Sequence, residues 1–163
     1  MEIRRRRLGA AEDLEAALHA VSEFNRTITA ADTKLGLLLT ANGFALTGLV
    51  SAGRTPTDQA TGVMAIVLEA LLLICMCYLA AALRPTLSEA GPGNWFSFPT
   101  FPAEGGERPV VSVLADHAWR QAAVLAAIAR RKYRRLAVAL RWSALSLTAF
   151  LAWFTVVLLG ALR

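Results

Sequence analysis

Three stretches of the chain are apolar on every side, and the segments that lead into two of them alternate with helical spacing. Leu35–Gly53 and Trp142–Leu162 carry no charged residue, and Gly62–Leu83 carries only Glu69. Each is close to the roughly 20 residues that take a helix across about 30 Å of hydrocarbon, where the backbone must satisfy itself. All three are therefore predicted to span a membrane. The first is punctuated by Thr40, Asn42, Gly43, Thr47 and Gly48, small or polar residues that let helices approach closely. Asn42 is placed there to hydrogen-bond across an interface. Upstream, Leu14, Leu18, Val21, Phe24, Ile28, Ala31 and Leu35 recur every three or four residues, the stripe of an amphipathic helix. No glycine or proline separates that stripe from the first span, so one helix is expected from about residue 10 to about residue 52. In the same way Val110, Val113, Leu114, Ala118, Leu125, Ile128 and Leu136 lead into the third span without a breaker, with Pro109 suited to a first turn. At 1.5 Å per residue such a stalk projects roughly 35–40 Å from the membrane.

The connection 84–109 breaks the pattern. Pro85 ends the second span, Gly91, Pro92 and Gly93 mark a turn, and Pro99 and Pro102 forbid a helix through "NWFSFPTF". An aromatic run of this kind is expected to fold back on the stalks or to lie at the headgroup level. The chain thus divides into a basic N-terminus with an amphipathic helix (1–34), a first span (35–53), a short loop (54–61), a second span (62–83), the aromatic loop (84–109), a stalk helix (110–141) and a third span (142–162). The expected fold is an all-α membrane protein of three transmembrane helices, two of them continuous with cytoplasmic stalks.

Basic residues set the orientation. Arg4, Arg5, Arg6, Arg7, Arg26 and Lys34 precede the first span, only Arg54 lies between the first two, and Arg84, Arg108, Arg120, Arg130, Arg131, Lys132, Arg134 and Arg135 fill the long connection. Lysine and arginine concentrate on the cytoplasmic side. The N-terminus and the 84–135 connection are therefore expected in the cytoplasm, and the 54–61 loop and the C-terminus outside, in a bacterial inner membrane. "MEIRRRR" is not expected to open a cleaved signal peptide, because Glu12, Asp13, Glu15 and Glu23 deny the next stretch of chain a continuous apolar core. It reads as a basic patch.

Composition strengthens the lipid reading. The hydrophobic fraction is 56%, against about 45–50% in soluble domains, and the mean hydropathy is +0.48. A net charge of +5 suits an anionic lipid, a nucleic acid or a nucleotide. Cys75 and Cys77 stand two apart, on different helix faces, which excludes a disulfide between them and leaves two buried thiols. His19 and His117 have no spaced partners for a metal or a nucleophile, and no phosphate-binding glycine loop appears. No catalytic residue, metal site or cofactor is expected, and the protein is not read as an enzyme.

Chemistry is carried by charges at the membrane edge. "RRKYRR" (130–135) is either a positive-inside anchor with Tyr133 at the interface, or a phosphate site through Lys132 with Arg131 or Arg135. Asp32 and Lys34 lie at nearly the same depth, because each just precedes a span. Asp32 either pairs with Lys132 or, with Lys34, contacts a ligand. Arg84 and Arg120 bind phosphate or pair with Glu89 or Asp116. Trp95, Phe96, Phe98 and Trp119 stack on a base or simply pack, and His117 is a stalk residue or a ligand contact. Glu69, an acid within a span, is expected at a helix or subunit contact, or is protonated.

"ADTKLGLLLTANG" (31–43), "LRPTL" (83–87), "NWFSF" (94–98) and "QAAVLAAIARRKYRRLAVAL" (121–140) resemble, in order and spacing, the Pycsar transmembrane effectors of the PycTM type. The resemblance runs from about residue 20 to the end, with Ser97 and Pro99 where that family's loop has a phenylalanine–glycine pair. It implies an antiphage membrane effector paired with a pyrimidine cyclase, responding to a cyclic pyrimidine mononucleotide, cCMP or cUMP, and impairing the inner membrane. The expected ligand contacts are Asp32, Lys34, Arg84, Trp95, Arg120, Arg131 and Lys132. Three spans cannot enclose a pore alone, so a homo-oligomer is expected, with Asn42 and Glu69 at its contacts. No DNA or RNA is expected as a partner. The alternatives are a SLATT-like membrane effector with another trigger, a lipid-binding scaffold and a small channel.

Overall fold

The computed structural model describes residues 9–52, 59–84, 93–97, 101 and 108–161. Among them the protein is all-helical: α1 spans Ala10–Ala52, α2 Gln59–Leu83 and α3 Val111–Ala161. All three are long and apolar enough to cross a membrane. α1 begins with Gly9, whose N–H is received by Glu12 Oε2 at 3.0 Å. That carboxylate and Asp13 also place negative charge at the positive end of the helix dipole. α3 opens on the carbonyl of Val110, which accepts from Val113 and Leu114. Pro109 therefore precedes the helix instead of sitting in its first turn, and Val110 caps it.

The chain forms two compact units, one from residues up to Ala30 and Pro85–Arg131, the other from Ala31–Arg84 and Lys132–Arg163. α1 and α3 each supply both units with no interruption in the helix.

The first unit is held by alanines. Ala17 of α1 and Ala115, Ala118, Ala122 and Ala129 of α3 are buried together with Leu125. Of the expected stripe, Ala118 and Leu125 are buried and Leu114 and Ile128 half-buried, while some of its members are not. Leu18, Val110 and Val113 are exposed, because side chains reduced to a methyl let two helix backbones approach while bulky branched residues are pushed to the rim. The indole Nε1 of Trp119 donates to Asp13 Oδ1 at 3.1 Å and ties α3 to α1 within this unit.

The second unit is an antiparallel three-helix bundle with two packed layers. Ala31 and Leu35 of α1 meet Cys75, Leu79 and Ala82 of α2 and Leu136 and Ala139 of α3. Further along, Ala45 and Leu49 meet Leu68, Leu72 and Trp153. Gly48 lets Phe150 come close, since a Cβ there would lie 3.2 Å from the Phe150 ring. Around this core the outward face is also apolar, with Leu37, Phe44, Ile66, Ile74, Leu151 and Val156 exposed. An apolar exterior of that extent is what lipid, not water, accommodates.

Candidate functional site

In the second unit Asn42, Lys132, Ser143 and Ser146 are buried polar residues. Lys132 Nζ donates to both carboxylate oxygens of Asp32, at 2.5 and 2.6 Å. The lysine side chain is only 8% exposed and the aspartate 36%. Of the two readings of Asp32, the ion pair is the one present, and both residues stand where their helices enter the second unit. Deeper in the bundle, Asn42 is fully buried. Its Nδ2 donates to the Leu38 carbonyl at 2.8 Å and to Ser143 Oγ at 3.0 Å, and Ser143 Oγ lies 3.4 Å from Cys75 Sγ. Asn42 thus bonds across an interface inside one protomer, between α1 and α3. Cys75 is buried, as expected of it, but Cys77 is exposed, because two residues along a helix turn the side chain to the opposite face.

The remaining charged candidates lie outward. Lys34, Arg84, Arg120 and Arg131 are exposed and make no ion pair with another described residue. Arg120 therefore does not pair with Asp116, and Glu89 and Phe98 fall outside the described residues. Glu69 is half-buried within α2, with no hydrogen-bond or ion-pair partner among the described residues.

The first unit carries a different kind of site. Gly93, at φ 67°, makes the turn that a side chain would strain. The following segment is pinned to α3 by Asn94, whose Nδ2 donates to the His117 carbonyl at 3.1 Å. Its Oδ1 accepts from the Phe96 amide at 2.8 Å and its carbonyl from Ser97 N at 3.3 Å. Trp95 is half-buried and meets Phe101 edge-on, ring centroids 5.6 Å apart. It packs within its own loop, and Phe96 is half-buried beside it. In the same unit, Ser97 Oγ, His117 Nδ1 and Gln121 Oε1 are buried without a hydrogen-bond partner among the described residues.

Sequence reasoning named His117 but missed Ser97 and Gln121, as it missed Ser143. Serines in an otherwise apolar span were a usable signal for Ser143. For Ser97 no comparable signal existed, because its burial depends on where Asn94 anchors the loop. Among the described residues no group of His, Cys, Asp or Glu gathers for a metal ion.

A model of the Pycsar effector protein domain, PycTM, matches residues 16–160, which takes in described parts of both units. Neither a curated protein nor a solved structure gives a match. The chain belongs to the Pycsar effector family: it is an antiphage transmembrane effector of the kind paired with a cyclase and a cyclic nucleotide signal.

Proposed function

We propose that the protein senses a cyclic pyrimidine mononucleotide, cCMP or cUMP, through its first unit and answers by impairing the bacterial inner membrane. In this reading the first unit and the N-terminus are cytoplasmic and the C-terminus is external, as the basic residues around the spans suggest. The observation that carries the proposal is that α1 and α3 each continue from one unit into the other without a break. A ligand that favours one arrangement of the first unit then biases the spans through rigid helices. It shifts the population only by its differential affinity, and a difference of about 3 kcal/mol changes the ratio about 150-fold.

Of the seven ligand contacts expected from the sequence, Trp95, Arg120 and Arg131 belong to the first unit, and we assign those to the nucleotide. The two arginines offer the forked donors that suit a phosphate. Asp32 and Lys132 serve as an internal clamp of the second unit, and Lys34 and Arg84 as cations for anionic headgroups.

Titrating the purified protein with cCMP, cUMP, cAMP and cGMP tests this. A pyrimidine nucleotide at 100 times its dissociation constant stabilises the protein by about 2.7 kcal/mol, read as a thermal shift. The same nucleotide releases a dye from proteoliposomes. No shift with any of the four overturns the reading. Binding that instead follows anionic lipid content and weakens with salt marks a lipid scaffold.

We further propose a homo-oligomer with Glu69 at its contact, since a lone acid within a span needs a polar partner. Glu69→Leu then changes the particle mass in detergent and lowers dye release while leaving the nucleotide shift unchanged. Unchanged mass and unchanged release remove Glu69 from the assembly.

A further inference from the structure

Three polar atoms without a hydrogen-bond partner among the described residues belong to the first unit, one on the loop and two on the turn of α3 that anchors it. Ser97 is only 1% exposed, yet its Oγ has no hydrogen-bond partner among the described residues. His117 Nδ1 and Gln121 Oε1 are likewise buried and unpaired. His117 and Gln121 are four apart, so they share a helix face. Asn94 ties the loop to the backbone of that same turn through the His117 carbonyl. A buried polar atom without a partner costs about 1–3 kcal/mol, and folded proteins keep only a few per hundred residues. Of the four such atoms among the described residues, three belong to this unit, on the loop and on the helix turn that anchors it, and a polar partner arriving from outside would satisfy them.

The chemistry of the three atoms narrows the partner. A hydroxyl, an imidazole and a carboxamide offer both donors and acceptors. A phosphate is better served by a guanidinium such as that of Arg120 than by these three groups. They suit the uncharged hydrogen-bonding edge of a heterocycle, which proteins read with such groups when a base lies clear of its stack. Resting on the cyclic-nucleotide reading above, we propose that Ser97, His117 and Gln121 read the base edge of the pyrimidine, while the exposed Arg120 takes the phosphate. The base edge is where cytosine and uracil differ: one presents an amino donor where the other presents a carbonyl. Selectivity between the two nucleotides therefore resides in these three side chains and not in the arginines.

The test uses the full chain in detergent, with cCMP, cUMP and cAMP as probes, and the variants Ser97→Ala, Gln121→Leu and Arg120→Gln. Ser97→Ala and Gln121→Leu weaken the preferred pyrimidine nucleotide about 10- to 100-fold and bring the cCMP and cUMP affinities closer together. The unliganded melting temperature stays the same or rises, because each change removes an unsatisfied buried atom. Arg120→Gln weakens both pyrimidine nucleotides by the same factor and preserves their ratio. If both apolar variants bind as the unaltered protein does, the assignment is overturned. It is overturned equally if their affinity falls in step with a lower unliganded melting temperature, since the polar atoms would then be structural. An unaltered protein that binds none of the probes overturns the nucleotide reading itself, and this assignment with it.

Discussion

Asp32→Ala lowers the stability of the protein by about 3 kcal/mol, and Lys132→Ala lowers it by less. The asymmetry comes from burial. Removing the aspartate strands an ammonium whose side chain is 8% exposed, and a buried charge left without its partner costs about 3–5 kcal/mol. The lower end applies because a lysine stem can snorkel toward water. Removing the lysine leaves a carboxylate that is 36% exposed and already partly hydrated, so about 1–2 kcal/mol is lost. Exchanging the two, Asp32→Lys with Lys132→Asp, restores part of the loss if the pair itself, and not the position of each charge, supplies the stability. Thermal unfolding in detergent measures all three. Equal losses from the two single variants would contradict the assignment of Lys132 as the buried member.

Trp153→Ala has an effect of similar size, about 3 kcal/mol, for a different reason. Trp153 is 3% exposed and closes the layer formed by Ala45, Leu49, Leu68 and Leu72. Its Nε1 donates to the Thr61 carbonyl at 3.3 Å, tying α3 to the start of α2. In a soluble core such a truncation costs about 3–5 kcal/mol from transfer and cavity together. Within a bilayer lipid is as apolar as the core, so transfer contributes little and lost packing contributes most. Trp153→Phe, which keeps a ring in the layer, costs about 1 kcal/mol. A loss below that for the alanine variant would mean that lipid or neighbouring side chains fill the gap.

What was legible in the sequence was whatever repeats along one helix. The three spans and the unbroken passage from stripe to span at Leu35 and at Leu136 come from spacing and the absence of breakers, and α1 and α3 have that form. The Asp32–Lys132 pair was within reach because opposite charges stand on the two helices shortly before each enters its span. Contacts that depend on a second element were not. Periodicity does not say that Asn42 meets Ser143, nor that alanines instead of Leu18 and Val113 form the buried seam of the first unit. A hydrophobicity pattern ranks bulky residues first, whereas close helix packing selects the smallest. Ser97 and Gln121 were beyond reach for the same reason, since being unpartnered is a property of the assembled unit.

Binding in the first unit is proposed to reach the membrane through continuous helices, and a change in helix continuity alone tests this most directly. Seven residues are inserted into both α1 and α3, after Ala30 and after Arg131. Seven alanine-rich residues add nearly two whole turns and preserve the register of each helix. Seven glycine and serine residues make a flexible joint of equal length. Both proteins are predicted to keep the nucleotide-induced thermal shift, but only the helical insertion keeps dye release from proteoliposomes. Release through the flexible joint as fast as through the helical one would contradict the proposal.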